Sequence, residues 1–238
     1  EYVGPMVGFI QRLMESGHAY QADDGAVYFS ISKFEDYGKL KGIDVSTLRS
    51  GARVAHDEYE KEDARDFALW KAATDEDESA GAAWDSPWGR GRPGWHLECS
   101  AMAEKHLGET MDIHAGGPDF IFPHHENERA QSTCAHDGAP FARYWLHNGF
   151  LSIDHEKMSK SLGNVLLVHD LIESIPGEVI RLALLSAHYR QPLDWSDETL
   201  ASARKMLDRL YGAVRGIHVP VELVDAAEVA AWARALSP

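Results

Sequence analysis

With 238 residues, 44% hydrophobic and 26% charged, the chain is long enough for one large domain or two small ones and has the composition of a globular protein with a sizeable core. No apolar run approaches a membrane span and no leader pattern opens the sequence. The net charge of −15 argues against non-specific nucleic-acid binding, but it is concentrated: between Asp57 and Asp85 eleven acids face three bases, Lys61, Arg65 and Lys71, which leaves room for a specific nucleic-acid partner elsewhere.

In chain order, residues 2–16 carry helical periodicity, with Val7, Ile10, Leu13 and Met14 on one stripe and Gly17 as a stop. HAYQADDGAVYFSI predicts a hairpin turning at Asp23-Asp24-Gly25. Residues 32–90 are acidic and weakly periodic, more like an inserted module than a main core. From Gly94 the pattern changes: WHLECSAMAEKHLG predicts an amphipathic helix, TMDIHAGG a strand ending in glycines, DFIFPHHENERAQSTCAH a loop and helix, and RYWLHNGFLSI a further strand. Alternating helix and strand predict an α/β layer with a parallel sheet. Beyond residue 165 the chain reads as mostly helical, through LIESI, EVIRLALLSA and DETLASARKMLDRLYGAV.

Three stretches bear on chemistry. Gly89, Gly91 and Gly94 match G-x-G-x-x-G, but the residues before them, AAWDSPW, are no strand and Pro93 interrupts the motif; it reads as a glycine-rich connector, not a dinucleotide site. FPHHENE (122–128) opens on a proline suited to the first turn of a helix, and the helix formers behind it put His124 and Glu128 at i, i+4 on one face, with His125 and Glu126 turned elsewhere. By itself this fits an ordinary helix start carrying dipole-favourable acids as well as half of a metal site. Cys99, on the preceding helix, is alone a small buried hydrophobe, yet joins His124 and Glu128 as a Cys/His/Glu set of zinc ligands. Cys134, ten residues past His124 on the same helix, is nearly three turns away and too far to share the metal. A fourth position falls to water, substrate or a residue outside the chain. Two cysteines make no disulfide framework and suit a reducing cytoplasm. In EKMSKSLGN (156–164), Lys157 and Lys160 sit three apart among serines before Gly163-Asn164. Such a loop either is a solvated lysine pair or delivers two ammonium groups to one polyphosphate.

The full strings carry a resemblance. KMSKS at Lys157–Ser161 is the second signature of class I aminoacyl-tRNA synthetases. GRPGWHLECSAM (91–102), DIHAGGPDFIFPHHENERAQS (112–132) and WLHNGFL (145–151) are similar to the cysteinyl-tRNA synthetase family in particular, in that order, from about His18 to Tyr211. The resemblance implies an α/β fold: the second half of a Rossmann-like class I catalytic domain with an inserted connective module, followed by a helical stem-contact region. It implies a helix over 1–18 leading into the insert, the connective insertion over 19–90, the catalytic half with its zinc ligands over 91–150, the KMSKS loop and stem-contact region over 151–205, and the start of a helical domain over 206–238.

It also implies the activity: L-cysteine is activated with ATP to cysteinyl-adenylate and transferred to a cysteine tRNA, by a cytoplasmic, monomeric enzyme with no membrane partner that uses Zn2+, and Mg2+ with its ATP. Cys99, His124 and Glu128 would hold the zinc with a cysteine from upstream of Glu1. Trp95 would wall the thiol pocket, unless it is a buried core tryptophan. Asp119, just past Gly116-Gly117, would take the amino group of cysteine or a ribose hydroxyl of ATP. Lys157 and Lys160 would stabilise pyrophosphate, and His147 with Asn148 would approach the adenine. The His-x-Gly-His signature of class I is absent, and Ala115 and Pro118 stand where glycine and serine are expected. The expectation is therefore a central fragment of a longer enzyme, inactive alone. Two other readings stay open: the paralogous cysteine ligase of mycothiol synthesis, and a zinc-binding interaction module without catalysis.

Overall fold

A computed structural model describes residues 2–44, 65–153, 155–158 and 163–217. The chain divides into two compact units, residues 1–149 and 150–238. Among the described residues no helix is long and apolar enough to cross a membrane.

In the first unit α1 (Val3–Glu15) buries Met6, Phe9, Ile10 and Leu13. These share the i, i+3, i+4, i+7 spacing of one helical face, with Val7 and Met14 packed at its border. The expected hairpin follows as β1 (Ala19–Gln21) and β2 (Val27–Phe29), paired antiparallel. Its turn is set by Gly25 at φ 84 and by the Ala26 amide donating to Asp24 Oδ1 at 2.9 Å. The acidic stretch hides a core strand. In β3 (Phe67–Ala72) Leu69 and Trp70 are fully buried, and they pack in one cluster with the buried face of α1 and with Leu97 and Ala101. Only two of its six residues are buried, so periodicity gives little warning of it. The rest of that module, residues 45–64, lies outside the described residues.

A short helix α2 (Asp75–Ser79), closed by a Thr74–Asp77 capping box, precedes β4 (Gly91–Pro93), which completes an antiparallel sheet of order β1-β2-β3-β4. This explains the glycine motif. A Cβ on Gly91 would lie 2.2 Å from the Lys71 carbonyl oxygen, and one on Gly94 2.0 Å from that of Ala68. The glycines thus let β4 and the next helix press onto β3, a packing role and not a phosphate loop.

Helix α3 (Trp95–Leu107) leads to β5 (Met111–Gly116), and α4 (Glu126–Ala135) to β6 (Ala142–His147). β5 and β6 pair in parallel from Met111–Ala142 to Gly116–His147, the parallel crossover that the alternation predicts. Residues 121–125 form a wide turn in which Phe122 is extended (φ −143, ψ 131), because a residue preceding proline avoids the helical region, and helical backbone runs from Pro123 into α4 as expected. One boundary differs from the sequence reading: RYWLHNGFLSI is two strands, not one. β6 ends at His147, and β7 (Leu151–Ile153) belongs to the second unit.

That unit has a three-stranded sheet of order β8-β7-β9, with β8 (Glu156–Lys157) antiparallel and β9 (Leu193–Trp195) parallel to β7. Helices α5 (Val168–Leu171), α6 (Gly177–Leu184) and α7 (Asp197–Val214) accompany it. β9 lies within a stretch that reads as helical, and its three residues are too few to show a period of two. Val179, Ile180, Ala183, Trp195 and Ala203 form the core. Residues 218–238, the greater part of the expected helical domain over 206–238, lie outside the described residues.

Candidate metal and nucleotide site

The first unit brings α3, β5, the 121–125 turn and the start of α4 to one place. Cys99 on α3, His124 in the turn and Glu128 on α4 present Sγ, a ring nitrogen and a carboxylate oxygen all within 4.8 Å of one another. The i, i+4 relation inferred for His124 and Glu128 is made: His124 Nε2 lies 3.2 Å from Glu128 Oε1. Glu128 is fully buried, and the geometry of that approach is too poor for a hydrogen bond, so Oε1 is a buried carboxylate oxygen without a hydrogen-bond partner. An orphaned anionic oxygen is costly in a protein interior unless something satisfies it. A sulfur, an imidazole nitrogen and this oxygen are a donor set suited to Zn2+. The residues present therefore fit a zinc ion.

The carboxylate's other oxygen, Oε2, is 2.8 Å from His114 Nε2. Burial pushes the Glu128 carboxyl up, but the hydrogen bond to His114 and the closeness of the His124 and His114 rings outweigh it and hold the group down at about 2. Cys99 moves the other way. Burial, then the Glu128 charge, pushes its thiol up to about 12, so without a metal it stays protonated. Cys134 is likewise buried and raised to about 12, chiefly by burial, and lies outside the triad.

Four further histidines, His96, His114, His125 and His147, cluster beside this triad. His96 Nδ1 lies 2.7 Å from His124 Nδ1, so a proton shared there leaves His124 Nε2 facing Glu128 and Cys99. This is the outer contact that fixes a ligand's tautomer. His125, expected to point away from the site, points away from Cys99 but not from Glu128: His114, His125 and Glu128 form a second close group. His125 Nδ1 lies 2.8 Å from His147 Nε2. Burial, followed by the facing histidines, lowers His96 and His125 to about 4, so both rings are neutral at pH 7. Gly116 is required here, since a Cβ would lie 2.9 Å from His125 Cε1. The available sequence signal was His114, a titratable residue inside an otherwise strand-like run just before two glycines.

The remaining motif residues hold the scaffold. Glu126, fully buried, accepts from the Leu40 amide (2.9 Å) and from Arg129 (2.7 Å). Asn127 accepts from the Tyr37 hydroxyl, and Arg129 donates to the Asp36 carbonyl at 3.0 Å. Within FPHHENE, His124, His125 and Glu128 thus belong to the site, while Glu126 and Asn127 tie residues 36–40 to α4.

Trp95 is 59% exposed, not a core residue, and its ring stacks on His124 at 4.4 Å between centroids. Asp119 is exposed beyond the carboxyl end of β5. His147 ends β6, and the next amide, of Asn148, donates to the Gly116 carbonyl at 2.9 Å. Asp119 and His147 therefore lie at the carboxyl edge of two parallel strands, where α/β sheets bind ligands. Lys157 lies on β8 of the second unit. Lys160 lies outside the described residues.

Residues 1–205 match a family model described as the tRNA synthetases class I (C) catalytic domain. Proteins named cysteine--tRNA ligase are similar to the chain: that of Parvibaculum lavamentivorans is 61% identical over 217 residues, 91% of this chain and 45% of its own length. That of Maricaulis maris is 60% identical over 215 residues, 90% of this chain and 45% of its own length. The chain thus spans a little under half of the curated relatives it matches. Among solved structures, Mycobacterium tuberculosis methionyl-tRNA synthetase in complex with methionyl-adenylate aligns over 90% of this chain and 53% of its own, with a TM-score of 0.58 at 15% identity, a likeness of fold alone.

Proposed function

The chain belongs to the class I (C) tRNA synthetase catalytic-domain family, and on that premise we propose that it is the central part of a cytoplasmic enzyme that activates L-cysteine with ATP and Mg2+ and transfers it to a cysteine tRNA. The observation that carries the reading is the convergence of Cys99, His124 and Glu128 on one buried carboxylate oxygen without a hydrogen-bond partner, in a chain about 60% identical to proteins named cysteine--tRNA ligase.

Those three residues would hold a zinc ion, which when bound supplies a thiophilic Lewis acid that favours a thiolate over a hydroxyl. An apolar pocket separates cysteine from serine poorly, because the two differ by one atom and little volume. The chain's own residues do the rest. His96 keeps the His124 ring turned with Nε2 towards the site. The exposed indole of Trp95, stacked on that ring, forms a wall that excludes water from a small side chain. Asp119 takes the substrate's ammonium or a ribose hydroxyl of ATP. His147, held by His125, and Asn148 border the adenine. Lys157 and Lys160 neutralise the pyrophosphate as the amino acid's carboxylate attacks the α-phosphate, which acts on charge that develops in the transition state.

Cysteine-dependent ATP–pyrophosphate exchange tests this. The whole protein should exchange with cysteine and not with serine. The 238 residues alone should fall below detection, because the His-x-Gly-His donors of class I chemistry are not among them and positioning losses of several kcal/mol accumulate. Robust exchange by the 238 residues would place a complete active site inside them. A whole protein that exchanges without cysteine would refute the substrate assignment.

A further inference from the structure

The second unit contains a carboxylate that no catalytic role so far uses. Asp194 lies on β9 between Leu193 and the buried Trp195, in register with Ser152 of β7. Its Oδ1 accepts from the Ser152 hydroxyl at 2.6 Å and from the His155 amide at 2.7 Å, and Oδ2 lies 3.2 Å from His155 Nδ1. His155 sits at φ 68 in the turn between β7 and β8, a conformation that residues other than glycine seldom adopt. Beyond the turn, Lys157 pairs with Ser152 across the hairpin. The Cα register therefore lays Asp194, Ser152 and Lys157 in one row across the three strands.

The row has a rigid base. Trp195 pairs with Ile153 and belongs to the unit's core, and the Asp194 carbonyl accepts from Thr199 Oγ1 at the start of α7 at 3.0 Å. A two-residue strand such as β8 has little else to hold it, since short hairpins are marginal on their own. Hydrogen bonds to an ionised acceptor are among the stronger a protein makes. The Asp194 carboxyl is held below its ordinary range first by the Ser152 hydroxyl and then by the His155 amide, so it is ionised at neutral pH.

We propose that Asp194 is a positioning residue for Lys157: one carboxylate ties the hairpin turn and β7 to β9 and so fixes where Lys157 leaves the sheet. This rests on the reading of Lys157 as a pyrophosphate-binding lysine. Position matters there because charge stabilisation by a lysine depends on its being in place before the transition state forms.

Amide hydrogen exchange on the 238-residue chain tests the tie without any need for activity. In Asp194→Ala the peptide covering 150–158 should exchange about tenfold faster or more, the factor expected for losing hydrogen bonds to a charged group, with α4 unchanged. Asp194→Asn keeps one acceptor oxygen but loses the charge, and should fall between the wild type and Asp194→Ala. Should Asp194→Ala not fold, Ser152→Ala removes one bond and should speed exchange about threefold. Unchanged exchange at 150–158 overturns the tie. Pyrophosphate exchange by the whole protein tests the consequence: Asp194→Ala should lower kcat about tenfold while the KM for cysteine holds and Asp194→Asn partly recovers. A faster-exchanging hairpin with unaltered kcat overturns the positioning role, and so does an Asp194→Asn as impaired as the alanine variant. A wild-type whole protein without any pyrophosphate exchange overturns the lysine reading instead, and the tie is then judged on hydrogen exchange alone.

Discussion

The sharpest test of the metal site compares His124→Ala with its neighbour, His125→Ala. Tetrahedral zinc with bonds of about 2.0–2.3 Å sets its donors roughly 3.3–3.8 Å apart. In the protein the His124 and Glu128 donors are already 3.2 Å apart, and all three donors lie within 4.8 Å. Little more than side-chain adjustment separates this arrangement from a bound site. Removing His124 leaves Cys99 and Glu128 as a two-ligand remnant and should weaken zinc by about a hundredfold or more, beyond the 10–100-fold typical of losing an outer contact. His125 belongs to a different group, and its Nδ1 is engaged by His147, so His125→Ala should cost less than about tenfold. His96→Phe should fall between the two, since it removes only the partner that orients His124. Competition with a chromophoric chelator reads all three affinities, with far-UV circular dichroism as a check of folding. Equal losses in His124→Ala and His125→Ala would refute the choice of face, and with it the assignment of Cys99, His124 and Glu128 as one ligand set.

Three further outcomes follow. In the whole protein, Lys160→Ala should lower kcat for pyrophosphate exchange at least about a hundredfold with the cysteine KM within about twofold, because the lost interaction belongs to the transition state; a raised KM alone would place the lysine elsewhere. Glu126→Ala leaves the Leu40 amide and Arg129 without their buried acceptor, and urea unfolding should show a loss of roughly 3 kcal/mol while zinc affinity changes little. Chelator-treated protein should lose stability on acidification in two windows. His96 and His125 are lowered from 6.5 to about 4, so the unfolded chain takes up their protons first and stability falls between those values. Glu128, lowered from 4.5 to about 2, contributes stability that is complete above 4.5 and lost towards 2, of the order of 3 kcal/mol. Urea midpoints measured against pH should show Glu128→Gln flattening the lower window.

Features whose physics is local are legible in the sequence. The stripe of α1, the hairpin at Asp24-Gly25 and the i, i+4 relation of His124 to Glu128 all depend on spacing within a dozen or so residues, and the parallel pairing of β5 with β6 follows from the alternation of such local patterns. A periodicity of two or 3.6 is visible at that range. The tertiary structure decided what depends on elements distant in the chain. It drew β3 out of an acidic stretch into the core, because two buried residues gain their partners from α1 and α3, not from their own neighbours. It put the wide turn before α4, which sets His124 and His125 in two different groups that share one carboxylate. It set His114 against that carboxylate, His96 against His124 and His147 against His125, from three separate elements, and turned Glu126, Asn127 and Arg129 into fasteners for residues 36–40. Each of those contacts joins side chains that meet only when the sheet and helices pack, and no spacing along the chain encodes a distance across them.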